Sequence, residues 1–253
     1  MAIQETVVTC LTEYLEAVAR ATQNWYLPTG IFPWFRGQAD ASKPPLPGVF
    51  RKSIKEHDIN AMFVQRAGMY ITGGRMPASD AQWLSLMQHV GLPTRLLDWT
   101  DSASAGLFFS VHAPEGKDAA VWLLHPLELN KISGLNYLPA SDRDPVAQSY
   151  QSAFVSTLPQ MPPRHPIAVA PTHVHVRMVA QRGCFTVHGS DRKSFVVQFE
   201  SEPLGVDGYL QKFLIPASEC EAVRDQLSRA GIRYATLFPD LDGLARELRD
   251  VFC

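Results

Sequence analysis

Gly91-Leu92-Pro93-Thr94-Arg95-Leu96-Leu97-Asp98-Trp99-Thr100, continued by Asp101-Ser102, is the stretch on which the fold turns. The segment before it carries Ser79 and Gln82 at capping-box spacing, with Trp83, Leu84, Leu86 and Met87 supplying an apolar face. Gly91 stands where a helix stops in the left-handed conformation, and Pro93 prevents continuation. Beyond it, Ala103–His112 reads as a small-residue helix with Leu107, Phe108 and Phe109 apolar. The stretch is therefore expected to be a helix-to-helix connection. Polar groups crowded beside an aromatic between two helices are a common setting for ligand sites. Bland roles exist too: Asp98 or Asp101 as a cap, Arg95 as its ion-pair partner, His89 as a cation at a helix C-terminus.

Moving outward, residues 6–21 read as an amphipathic helix through Val7, Val8, Leu11, Tyr14, Leu15 and Val18. Ile31–Gln38 reads as a strand ending near Gly37, and residues 39–50, with Pro44, Pro45, Pro47 and Gly48, as an extended loop. Ala119–Leu124, Ile167–Ala170, Cys184–Val187, Phe195–Phe199 and Gly208–Ile215 read as strands, and residues 139–166 as a long loop. Ser218 and Glu221 repeat the capping-box spacing. The helix they start is expected to end at Gly231, before a strand over Ile232–Leu237 and a last helix, 241–251, capped by Asp240. Strands and helices mixed without a βαβ rhythm predict an α+β fold: mixed, mostly antiparallel sheets flanked by helices. One domain is expected over 1–253, with core motifs at about 30–190 and a C-terminal helix-strand-helix extension over 208–253.

The 253 residues are 46% hydrophobic, enough for a core without disulfide or metal staples. A net charge of -2 gives no field that would draw in nucleic acid or a membrane surface. Cys10, Cys184, Cys220 and Cys253 are scattered, which suits a reducing compartment. No leader pattern or membrane-length apolar run is read, so a cytoplasmic location is expected. Phosphate loops, GxSxG and HExxH are absent. His173-Val174-His175 could share a strand face, but no third ligand is evident and no metal is expected.

Two further segments invite chemistry. In Trp34-Phe35-Arg36-Gly37-Gln38, glycine would let a ligand approach the backbone and arginine would grip phosphate or carboxylate with two bonds; a structural pairing of Arg36 is the alternative. Gln181-Arg182-Gly183-Cys184-Phe185-Thr186-Val187-His188 runs through a glycine turn into a strand.

Together these segments resemble the FRG domain, a bacterial family named for its Phe-Arg-Gly signature. Phe35-Arg36-Gly37-Gln38 resembles that signature, Leu46-Pro47 to Arg51 the proline-arginine stretch after it, and Leu86-Met87-Gln88-His89 with Gly91–Thr100 the longest motif. Gln181–Thr186 resembles the closing motif. A weaker resemblance follows, to the three motifs of ADP-ribosyltransferases. It implies an NAD-consuming enzyme, a transferase or NAD glycohydrolase, serving as a toxin or antiphage effector. The acceptor would be protein or nucleic acid, with an antitoxin or defence-system partner and no membrane.

On this resemblance Arg36, Asp98, Thr100 and Gln181 are the catalytic candidates. Arg36, Gly37, Gln38, Arg51, His89, Thr94, Arg95 and Trp99 are the candidates for holding NAD. Arg36 would hold the diphosphate, Thr100 the nicotinamide ribose, and Trp99 would stack the nicotinamide. Gln181 stands where those enzymes carry glutamate, so Asp98 is the carboxylate candidate. The alternative is a non-catalytic module that binds nucleotide or nucleic acid, clamped by Arg36, Arg51, Arg95 and Arg182.

Overall fold

The computed structural model describes residues 3–51, 54–71, 76–112, 116–155, 161–170, 176–201 and 209–252. In chain order the elements are β1 (Gln4–Val7), α1 (Leu11–Thr22), β2 (Trp34–Gln38), α2 (Glu56–Ala67), α3 (Asp80–His89), β3 (Leu96–Thr100), α4 (Ala103–Val111), β4 (Ala119–Leu124), α5 (Pro126–Ile132) and α6 (Pro145–Val155). There follow β5 (Ile167–Val169), α7 (Val176–Ala180), β6 (Gly183–Val187), α8 (Phe195–Ser201), β7 (Leu210–Ile215), α9 (Cys220–Arg229), α10 (Tyr234–Leu237) and α11 (Leu241–Phe252). The fold is α+β. Its strands form one seven-stranded sheet in the order β1-β7-β4-β2-β3-β6-β5. The β1–β7 pair is parallel, and the other neighbouring strands pair antiparallel.

Register and side-chain alternation divide the sheet into two faces. On one face, Phe35, Val121, Leu123 and Phe213 pack against Tyr14, Leu107, Phe108 and Val223 of α1, α4 and α9. Across β2 the same face continues with Leu96, Phe185, Val187 and Ile167, covered by Leu84, Met87 and Tyr150 of α3 and α6. Leu84, Met87 and Tyr150 are fully buried, and burying a side chain of this size stabilises by about 1.5–3 kcal/mol. The opposite face holds Trp34, Trp99, Trp122, Leu129, Phe195 and Leu210.

Several elements differ from the sequence reading. The stretch after Pro93 is strand β3, held by a five-residue ladder to β6, rather than a loop between helices. Residues 6–21 divide: Gln4–Val7 is an edge strand beside β7, and the helix starts at Leu11 behind Cys10. Residues 145–155, read as loop, form α6, which buries Tyr150, Gln151 and Phe154. Phe195–Phe199 is helical, and so is Tyr234–Leu237, so the C-terminal part is β7 followed by three helices rather than helix-strand-helix. Ser218 lies in a short 3-10 turn, and α9 starts behind Glu219 without a side-chain cap. The His173-Val174-His175 pair lies outside the described residues. Among those residues no helix is long and apolar enough to cross a membrane, and no group of three or more His, Cys, Asp or Glu is placed to hold a metal.

Candidate functional site: the cleft at the β2–β3 seam

Neighbouring strands elsewhere in the sheet share three or more register pairs, but β2 and β3 share one, Phe35 with Thr100. Beyond that pair they part, leaving a seam. Phe35 and Gly37 face α4, so the side chain of Arg36 leaves the other way and enters the seam. There its Nη1 donates to the Asp98 carbonyl at 2.7 Å. Burial draws the Arg36 guanidinium down to about 10; Asp98 opposes this and Arg51 adds to it. Arg36 stays cationic at neutral pH and pins the two strands where the ladder fails.

Gly37 serves packing. A Cβ there would lie 2.5 Å from the Ser110 nitrogen and closer still to the Gly106 carbonyl oxygen. A Cβ on Gly106 would lie 2.7 Å from Phe35 Cβ. The two glycines let α4 sit directly on β2, so glycine is needed at 37 for a helix rather than for a ligand.

Above the seam is a cavity of about 440 Å³, walled by α3, α4, α7, the strands and Phe238. The only carboxylate among its described lining residues is Asp98, whose side chain is exposed. The local chain explains how it gets there. Ser79 caps α3 through Gln82 N at 3.3 Å. The helix closes with Gly91 at φ 85° and Leu92 N donating to Met87 O at 2.9 Å. The tight return brings buried Thr94 back beside Gln88. Thr94 Oγ1 donates to Gln88 Oε1 at 2.6 Å, and Gln88 Nε2 donates to Asp98 Oδ2 at 2.7 Å.

The sequence candidates sort clearly. Arg36, Gly37, His89, Asp98, Trp99, Thr100 and Gln181 all line the cavity. Besides Arg36 and Gly37, two of them are turned to other work. The Trp99 ring lies on the opposite face of the sheet, where Nε1 donates to Thr186 Oγ1 at 3.0 Å and the ring packs on Phe195. The Thr100 hydroxyl donates to Gln181 O at 2.7 Å and accepts from Ser102 N at 3.1 Å.

Gln38, Arg51, Thr94 and Arg95 are outside the lining. Gln38 is buried on the face of Trp34, away from α4. Arg51 is exposed and donates to Leu46 O at 3.0 Å. Arg95 turns from the cavity to the Glu56 carboxylate and Gly189 O, its guanidinium 3.6 Å from the Phe154 ring centroid. Ser102, not an aspartate, caps α4; Asp101 pairs with Arg182, which lies outside the cavity lining.

Sequence reading missed Phe109, Arg177 and Phe238 as lining residues. Arg177 pairs with Asp240, the residue that caps α11 through Gly243 N at 2.9 Å. Phe109 and Phe238 meet edge to face with centroids 6.1 Å apart. Nothing local marks Phe238, because the fold brings it to the cavity from more than a hundred residues away.

Residues 33–119 match the family model of the FRG domain. The chain carries an FRG domain. No curated protein and no solved structure matches the chain. The FRG match covers β2, α2, α3, β3 and α4, hence the seam, both packing glycines and the Thr94–Gln88–Asp98 chain. The walls from α7, β6 and Phe238 lie outside it.

Proposed function

We propose that the FRG cleft is an NAD-consuming, ADP-ribosyltransferase-like site in which Asp98 is the acting carboxylate. The observation that carries this reading is the convergence of three separated segments, bearing Arg36, Asp98 and Gln181, on one cavity with a single carboxylate in its described lining. Breaking the nicotinamide–ribose bond sends its electron pair out with nicotinamide and leaves an oxocarbenium-like sugar. A fixed carboxylate beside that carbon favours the transition state over bound NAD. Gln181 orients ribose hydroxyls, Phe109 and Phe238 offer the ring surface that Trp99 does not, and Arg177 is the lining cation for the diphosphate. Arg36 holds the seam. Transfer to a protein or nucleic-acid acceptor, or hydrolysis, would make the protein a toxin or antiphage effector, with an antitoxin or defence-system protein as partner.

The test is nicotinamide release from NAD by the purified protein, with and without cell lysate as an acceptor source. Asp98→Asn is expected to lose about 10²–10³-fold in turnover while its thermal unfolding stays that of the parent. Undiminished turnover in that variant would remove Asp98 from the reaction. Arg36→Ala is a poorer control, since it also unpins β2 from β3.

A second reading, a module that binds nucleotide or nucleic acid without turnover, is favoured by one observation: the Thr100 hydroxyl is fully engaged by the backbone. No release under either condition, with binding of a mononucleotide that ignores salt, would select nucleotide binding. Steep salt dependence would select nucleic acid.

A further inference from the structure

We infer that Gln88 is the positioning residue of Asp98, and that Thr94 sets which end of the Gln88 amide faces it. This positioning role rests on the NAD reading of the cleft, but the hydrogen-bonded chain behind it can be tested without any turnover.

A glutamine amide has an oxygen and an NH₂ of almost the same shape, and a neighbour must decide which goes where. Thr94 decides it. Its hydroxyl oxygen accepts from Leu96 N at 3.0 Å, so its one hydrogen is directed to Gln88, 2.6 Å away. A donor there fixes the Gln88 oxygen towards Thr94 and sends the NH₂ towards Asp98 Oδ2 at 2.7 Å. The chain Leu96 N–H to Thr94, Thr94 O–H to Gln88, Gln88 N–H to Asp98 runs in one direction and ends on an acceptor. Any acceptor would satisfy that last donor, and Asp98 supplies a charged one, which strengthens the bond.

The fold keeps the chain still. Thr94 is fully buried, and Gln88 sits in the last turn of α3, whose face is locked by buried Leu84 and Met87. Asp98 stands at the middle of β3, paired with Phe185 of β6. One carboxylate oxygen is thereby engaged from the protein side, and the other is left for the ligand. Holding a reacting group in one geometry is worth most when charge develops beside it. Three residues of the longest motif, Gln88, Thr94 and Asp98, thus form one device, while Arg95 between them serves the core.

The test uses the full chain with Thr94→Val, Thr94→Ser and Gln88→Glu. Thr94→Val keeps the shape and loses the hydroxyl; Thr94→Ser keeps the hydroxyl. Thr94→Val is expected to lower kcat for nicotinamide release by about tenfold with KM within about twofold, and Thr94→Ser to restore most of it. Gln88→Glu places a like charge against Asp98 and should lose more.

The second arm needs no reaction: in an NMR spectrum of the side-chain amides, the Gln88 NH₂ signals should move in both Thr94→Val and Asp98→Asn and stay in Thr94→Ser. Equal losses in Thr94→Val and Thr94→Ser, or Gln88 signals indifferent to Asp98→Asn, would overturn the inference. If the signals move as expected and the parent protein releases no nicotinamide, the positioning chain stands and the NAD reading falls.

Discussion

Gly37 and Gly106 touch across the interface of β2 and α4, with no room for a methyl group on either. Gly37→Ala is expected to destabilise by about 1–3 kcal/mol through overpacking, read as a lower denaturant midpoint. An unchanged midpoint would mean that α4 can shift outward without loss. A second residue-scale expectation concerns Arg95 and Glu56. Burial pushes the Glu56 carboxyl up and draws the Arg95 guanidinium down, each only partly offset by the other's charge. Glu56→Gln leaves Arg95 buried without its counter-charge and should cost about 3–5 kcal/mol. The double replacement Glu56→Leu with Arg95→Met should recover most of that, and a double variant no better than the single one would refute the account. These roles were partly open to sequence: an arginine beside Asp98 and a glycine after Arg36 were visible, but their partners, Glu56 and Gly106, are set by the fold alone.

At the scale of elements, legibility followed the range of the determining contact. The start and stop of α3 were readable because Ser79, Gln82, Gly91 and Pro93 act within one turn of themselves. Strand β3 was not, because its Pro and Asp flanks suggest a loop, and its strand character comes from β6 more than eighty residues later. Phe195-Val196-Val197-Gln198-Phe199 has strand composition, yet it forms α8. Ser194 O accepts from Gln198 N, and Phe195 and Gln198 are buried one turn apart while Val197 faces out. The same applies to the cavity: its β3 and α3 walls were legible as a motif, whereas α7 and Phe238 join it only through folding. The Arg177–Asp240 pair tests that joining. Asp240→Ala removes both the cap of α11 and the partner of Arg177, and should cost about 0.5–2 kcal/mol from the cap. It should also free Arg177, so that binding of NAD tightens; weakened binding would show that the pair shapes the cavity instead.

For the whole molecule, His112 and His188 contribute to the response to acid. Burial draws His112 from 6.5 to about 4, with Asp250 opposing and Arg224 and Arg246 adding. Burial and Arg95 draw His188 from 6.5 to about 3, with Phe50 and Phe195 against its ring. Both groups bind protons more readily unfolded than folded. Their stability is fully present above about pH 6.5 and is lost as pH falls towards 4. His112, with 11% of its side chain exposed, contributes about 3 kcal/mol to that loss by its shift. His112→Phe should flatten the fall in unfolding free energy between pH 6.5 and 4; an unaltered slope would place the acid sensitivity elsewhere.

The family match has its own geography. Its two strands, β2 and β3, are neighbours at the centre of the sheet, and their outer edges are closed by β4 and β6, which lie beyond it. What is inherited as a motif is therefore not what folds as a unit. Recombination that exchanged residues 33–119 between two such chains would import the carboxylate and the seam intact, but set them against the recipient's own α7, β6 and Phe238 walls. Lineages could then change what the cleft admits by drifting in the part of the chain beyond the family match, while Arg36 and Asp98 stay as they are.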